Sequence, residues 1–210
     1  MDFRKNNIID FYDNRRIACG LILEVEDRRL RILTDQGKET NIPLSRALTA
    51  GHDPLFPLGG PRDAQVQKLK EIWSRREEIK TNIDLAELWE IVVTETDEID
   101  LNELTELFFG DKQDMDQAAS LVRAIHEDRL YFKVKPDRIE VPRPEVVEHA
   151  LLQRERERER SEFIANAADL LAEATSRQGL MDRPVAPELV CLLEEAAKAG
   201  PDWMQVKAVK

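Results

Sequence analysis

Apolar residues recur at strand spacing through the first fifty positions and mostly at helical spacing beyond them, and that change constrains the fold more than any other feature. In RRIACGLILEV, residues 15–25, Ile17, Cys19, Leu21, Leu23 and Val25 recur at every second position, the period of a strand with one buried face. A short apolar run, NIIDFY, precedes it. RLRILT and KETNIPL follow, set apart by the polar break EVEDRR and by Asp35-Gln36-Gly37, which suits a hairpin turn. Four short strands with tight turns predict a small SH3-like β-barrel over residues 1–50.

GHDPLFPLGGPRD, residues 51–63, is rich in glycine and proline and predicts a linker. Beyond it the spacing lengthens. Val66, Leu69, Trp73, Arg76 and Ile79 recur at helical intervals, so a connecting helix is expected over 64–82, with Pro61 in its first turn. DLAELWEIVV places Leu85, Leu88, Trp89 and Val92 on one helical side. Asp100 can cap the next helix, LNELTELFF, with Glu103 completing a capping box and Gly110 ending it. DQAASLVRAIHED is a third helix burying Ala118, Leu121 or Val122, and Ile125. LYFKVKPDRIEV then reads as a hairpin turning at Pro136-Asp137. Three short helices followed by a hairpin are the parts of a winged helix, expected over 83–142.

Residues 143–210 are predicted as a long helix and a short one, PELVCLLEEAAKAG. Within the long helix, LLQRERERERSEF alternates arginine and glutamate. As a strand it would show one basic stripe. As a helix its opposite charges meet three residues apart and no patch exists. Apolar flanks at three- and four-residue spacing favour the helix, polar all round and suited to spanning solvent. The fold class is therefore α+β, mostly α: a small SH3-like β-barrel, a winged-helix domain and a helical tail.

Charge narrows the functional classes. The formal net charge is −11 with 35% charged residues. It is unevenly spread: nine bases against nine acids in 1–60, twelve against twenty in 61–142, ten against thirteen in 143–210. An acidic surface repels nucleic acid at long range, so any such role must use a local basic face. In the second and third predicted helices, acids outnumber Arg123 and Arg129, and sequence-specific DNA reading is disfavoured. Cys19 and Cys191 lack CxxC spacing and a histidine cluster, which argues against zinc and disulfide alike and fits a reducing compartment. Charged residues through the first sixteen positions and the lack of any membrane-length apolar run predict a cytoplasmic chain without a signal peptide.

Other candidate sites are weak. Glu95, Asp97, Glu98 and Asp100, and then Asp111, Asp114 and Asp116, crowd two helix starts, where acids cap exposed N–H groups; no metal site is expected. His52, His126 and His149 are scattered, with His126 expected in a structural place. PLGGP lacks the context of a phosphate loop, and Cys191 reads as a small core residue. On the hairpin, alternation sends Leu130, Phe132 and Val134 inward and Tyr131, Lys133 and Lys135 outward. One ring and two ammonium groups suit a stacked base and its phosphates. Arg15, Arg16, Arg28, Arg29 and Arg31 form a second basic region on the β unit.

LAELWE, the helix end LTELFFGD, and EDRLYFK…DRIE followed by RPEVVE resemble the region ahead of the catalytic domain in bacterial ribonuclease II-type (RNB family) exoribonucleases. IACGLILEVEDRRLRILTDQGKETNIP is similar to the small β module at that family's amino end. The resemblance covers residues 8–160. It implies an accessory module of a 3′-to-5′ exoribonuclease that guides or selects RNA, or docks a partner. The family's aspartate cluster and its Mg²⁺ belong to a separate, later domain, so no catalytic residue and no cofactor is expected in this chain. Expected partners are weakly bound single-stranded RNA or the catalytic part of the same enzyme. The rival is a protein-interaction scaffold using the acidic winged-helix surface.

Overall fold

The computed structural model describes residues 3–13, 16–53, 56, 58–110, 114–135, 138–175 and 194, with side chains omitted for 167–175. The predicted short C-terminal helix, Cys191, Arg15, Asp111 and the hairpin turn Pro136-Asp137 lie outside the described residues. The chain divides into two units, Met1–Val147 and Glu148–Lys210.

The first unit opens with five strands: β1 (Ile8–Asp13), β2 (Arg16–Val25), β3 (Arg29–Thr34), β4 (Glu39–Pro43) and β5 (Ala47–Gly51). They form one antiparallel sheet in the order β4-β3-β2-β1-β5. β4 and β5 are its two edges, so the described strands make an open sheet and not a closed barrel. The β3–β4 turn is where the sequence places it, with Gly37 at φ 75° donating to the Thr34 carbonyl, a backbone conformation that favours glycine. Gly20 is needed for a different reason. A Cβ there would stand 2.9 Å from the Leu33 carbonyl oxygen.

Both faces of the sheet are buried. Ile9, Phe11, Ala18, Ile22, Leu30, Ile32 and Ile42 pack together on one side. On the other, Ile8, Cys19, Leu21 and Leu33 pack against Leu69 and Ile72 of α1 (Arg62–Lys80). The period-two reading of β2 thus describes one face only, since Ala18 and Ile22 fill the second.

α2 (Leu85–Val92), the short strand β6 (Glu98–Ile99), α3 (Leu101–Phe109), α4 (Met115–Asp128), β7 (Lys133–Val134) and β8 (Ile139–Glu140) complete this unit. Asp84, Asp100 and Asp114 accept backbone N–H bonds at the three helix starts. The reciprocal capping box forms at Asp114 and Gln117 rather than at Asp100. β6 pairs with β8, giving a three-stranded sheet in the order β6-β8-β7. Leu85, Leu88, Val92, Leu104, Leu121, Ile125, Phe132, Ile139 and Val141 form the core beneath it.

α5 (Pro144–Thr175) carries the alternating charges as a helix, as its flanks predict. In the second unit, residues 151–162 are exposed all round, and Glu155 and Arg158 meet at 2.7 Å. No described helix is long and apolar enough to cross a membrane.

Candidate nucleic-acid interface

The helix that would read DNA in a winged-helix protein is α4, and most of it is covered. Its residues 119–125 are buried, along with Asp116. α4 packs against α1, β5, α3 and β7. The exposed aspect expected of a groove-reading helix is occupied by the protein itself.

A buried ionic network explains the close fit. Asp10 on β1 is 1% exposed and faces the α1 side of the sheet. Its carboxylate accepts from Arg76 Nη1 at 2.6 Å and from Arg123 Nε at 2.7 Å and Nη2 at 3.1 Å. Asp116 accepts from Arg76 Nε at 2.8 Å and from Arg75 Nε at 2.5 Å. Arg123 Nη1 reaches Glu77 at 2.9 Å, and its guanidinium lies 5.8 Å from the Trp73 ring centre. Burial opposes the charge on Arg76, but the carboxylates of Asp10 and Asp116 more than offset it, and the guanidinium stays protonated. Arg76 Nη2 alone in this set is buried without a partner. Burial pushes the Cys19 thiol up to about 12, so it is an inert core group.

Two sequence expectations are corrected here. Arg123 is not a charge offered to a duplex; it is 3% exposed and bound to Asp10. Asp116 is not a solvated cap residue; it is 5% exposed between Arg75 and Arg76. Arg76 does sit on the buried stripe where its helical spacing places it, completely buried.

The wing follows the predicted alternation. Leu130 and Phe132 are buried, Val134 is half-buried, and Lys133 and Lys135 are exposed. Tyr131 is only half-exposed, because its ring packs 5.8 Å from Trp89, whose Nε1 donates to the Pro142 carbonyl. Both lysines reach one carboxylate, Glu140, at 3.2 and 3.1 Å. Their hydrogen bonds hold Glu140 below the usual carboxylate range. The wing cluster therefore carries one net positive charge, not two. Arg138 and Glu98 pair across β6 and β8, and Arg143 approaches Asp97 at 3.5 Å.

On the five-stranded sheet the candidate arginines differ. Arg16 bonds Asp13 at 3.4 Å. Arg31 lies between Glu24 at 2.7 Å and Glu39 at 3.8 Å. Arg28 and Arg29, at the β2–β3 turn, are exposed and have no carboxylate within ion-pair distance among the described residues. Phe3, Arg4, Lys5, Leu23, Glu24, Val25 and Arg31 line a shallow open depression on this unit. Nothing in the sequence pattern joins Arg4 and Lys5 to Arg31; the order of strands β1, β2 and β3 in the sheet brings them to one depression. Among the described residues no group of three or more His, Cys, Asp or Glu could hold a metal ion.

His126, at the end of α4, stacks obliquely on Tyr12 of β1, with ring centres 4.9 Å apart. Burial and then the Arg129 charge lower its pKa from the usual imidazole value, with Glu127 opposing. Below pH 6.5 the unfolded chain takes up this proton before the folded one does, so stability is lost as pH falls toward the folded value. The urea midpoint should decline from pH 7.5 to 5.5, and His126→Gln should flatten that decline. An equally steep slope in the variant would assign the pH dependence elsewhere.

Residues 74–146 match the family model described as "Ribonuclease II, winged helix domain". This stretch is similar to a ribonuclease II winged-helix domain. The match spans about a third of the 210 residues and includes Arg75, Arg76, Asp116 and Arg123, whereas their partner Asp10 lies outside it. It supports the region of ribonuclease II-type exoribonucleases that the sequence resembles. No curated protein and no solved structure matches the chain significantly.

Proposed function

We propose that this chain is an accessory, RNA-guiding part of a ribonuclease II-type 3′-to-5′ exoribonuclease, contacting single-stranded RNA through the wing and the sheet arginines. The observation that carries this reading is the ribonuclease II winged-helix match over 74–146. The burial of α4 supports it further, because it leaves the wing and not the third helix as the basic surface. Tyr131, Lys133, Lys135, Arg28 and Arg29 would supply stacking and phosphate contacts, with Arg16 and Arg31 weaker because carboxylates already hold them. We read the five-stranded sheet as SH3-like, on its short antiparallel strands, tight turns and two buried faces. The reading assigns no catalytic residue to this chain.

Binding should be weak and salt-dependent. Lys133→Glu with Lys135→Glu should lower single-stranded RNA affinity about tenfold at low salt. The slope of log affinity against log salt should become shallower by roughly 1.4, about 0.7 for each lost phosphate contact. Both residues are exposed, but the variant sets two new carboxylates against Glu140, so a small stability loss of about 0.2–1 kcal/mol per pair should accompany it. Unchanged affinity in fluorescence anisotropy would sink the wing assignment.

The rival reading, a protein-docking scaffold, also has a specific observation behind it. From Ile83 to Asp111 the sequence holds ten acids and no base. Ile91 and Leu107 stand exposed on α2 and α3, each four residues after a glutamate. Such a face suits a basic protein surface. Specific protein partners recovered after nuclease treatment, from a chain that fails to bind RNA, would favour it.

A further inference from the structure

Arg129 closes α4 in the left-handed conformation at φ 56°, a place where helices commonly use glycine because a Cβ is disfavoured. Its side chain gives little back to the fold. Nε donates to the His126 carbonyl at 2.8 Å, and Nη2 lies 3.1 Å from His126 Nε2. No carboxylate lies within ion-pair distance of it among the described residues. The acids beside it are engaged elsewhere. Glu127 is held by Lys80 at 2.6 Å, and Asp128 accepts the Leu130 and Tyr131 N–H groups.

The surroundings of this guanidinium are aromatic. His126 leans on Tyr12, and both rings are half-exposed. Burial raises the pKa of the Tyr12 phenol, with the Arg129 charge opposing, so the group is an O–H donor at neutral pH. The Tyr12 hydroxyl has no hydrogen-bond partner among the described residues. An unneutralised guanidinium with spare N–H groups, a free phenol donor and a tilted ring pair therefore converge where β1 meets the end of α4. Guanidinium and hydroxyl donors suit a phosphate oxygen, and half-exposed rings suit a base.

We propose that Tyr12, His126 and Arg129 form a second contact for single-stranded RNA, with Arg129 and the Tyr12 hydroxyl taking a backbone phosphate and the ring pair taking a base. The inference rests on the RNA-guiding reading above, yet it uses none of the residues named there.

Two substitutions separate contact from support. Arg129→Gly restores the residue that the backbone conformation favours, so the melting temperature should hold or rise. Arg129→Gln keeps the length and removes the charge. Each should weaken binding of a single-stranded oligoribonucleotide several-fold and make the salt slope shallower by about 0.7, one phosphate contact. A purely structural role would not alter that slope. Amide and side-chain NMR of the full chain, titrated with the same oligomer, should shift Tyr12, His126 and Arg129. Shifts confined to residues 131–135, with unchanged affinity in both variants, would overturn this site and leave the wing reading standing. Shifts at the ring cluster alone would support it and remove the wing. No shift at either place would overturn both. Inorganic phosphate competing as well as the oligomer, per phosphate, would reduce the site to an anion site and overturn the RNA assignment.

Discussion

Replacing Asp10 by asparagine should cost about 3–5 kcal/mol of stability, the range for removing one partner of a buried ion pair. The carboxylate is 1% exposed and holds Arg76 and Arg123 at once. Asparagine keeps the shape and loses the charge, so two guanidinium groups would remain buried with Asp116 and the half-buried Glu77 as their acids. The loss is large because the arginines cannot escape to water: one is wholly buried and the other 3% exposed. Urea unfolding followed by tryptophan fluorescence measures it, with Trp73 and Trp89 reporting from α1 and α2. Glu39→Gln, which breaks an exposed pair with Arg62, should change stability by about 0.5 kcal/mol or less. A deficit under about 1 kcal/mol for Asp10→Asn would show that solvent already reaches the network. The network joins β1, α1 and α4, so the wild-type sheet and winged helix should unfold in one transition. Two separate transitions would contradict that role.

This network also marks the limit of what the sequence discloses. Arg76 was legible as an arginine on an apolar stripe, an anomaly that calls for a buried acid. Its partner was not legible, because Asp10 lies 66 residues away in the chain and Arg123 lies 113 from Asp10. Arg123 therefore counts as exposed in any reading by local charge, and the argument against DNA reading gains its stronger basis, burial, only in three dimensions. Helices α2 and α3 were legible because DLAELWEIVV has one apolar side and because the cap Asp100 and the terminator Gly110 are local signals. β5 and β6 were not. ALTAG lacks alternation, and two residues inside an acidic loop carry no period at all; each is a strand only because β1 or β8 lies beside it. The site shows the same division. Wing alternation follows from chain geometry and is readable, whereas the sharing of Glu140 by two lysines and the meeting of Tyr12 with His126 depend on pairing and packing between elements.

Phe132→Ala should produce the second large effect, a loss of about 3–5 kcal/mol. Phe132 is completely buried among Leu88, Leu104, Leu121, Ile125 and Ile139, and it stands between Tyr131 and Lys133. It is therefore the anchor by which the candidate RNA contacts are held on the winged-helix core. Truncation leaves a cavity under the wing, and the surrounding helices can close it only in part. Because a domain commonly has only about 5–15 kcal/mol in hand, the variant is best measured by urea unfolding at low temperature, alongside Phe132→Leu, which should lose less. The comparison with the charge variants separates holding from touching. Phe132→Ala should lower both stability and RNA affinity by large amounts, while Lys133→Glu with Lys135→Glu should lower affinity with only a small loss of stability. If Phe132→Ala unfolds normally yet the wing still binds RNA as before, the wing is not seated on this core, and the scaffold on which the RNA reading depends is wrong.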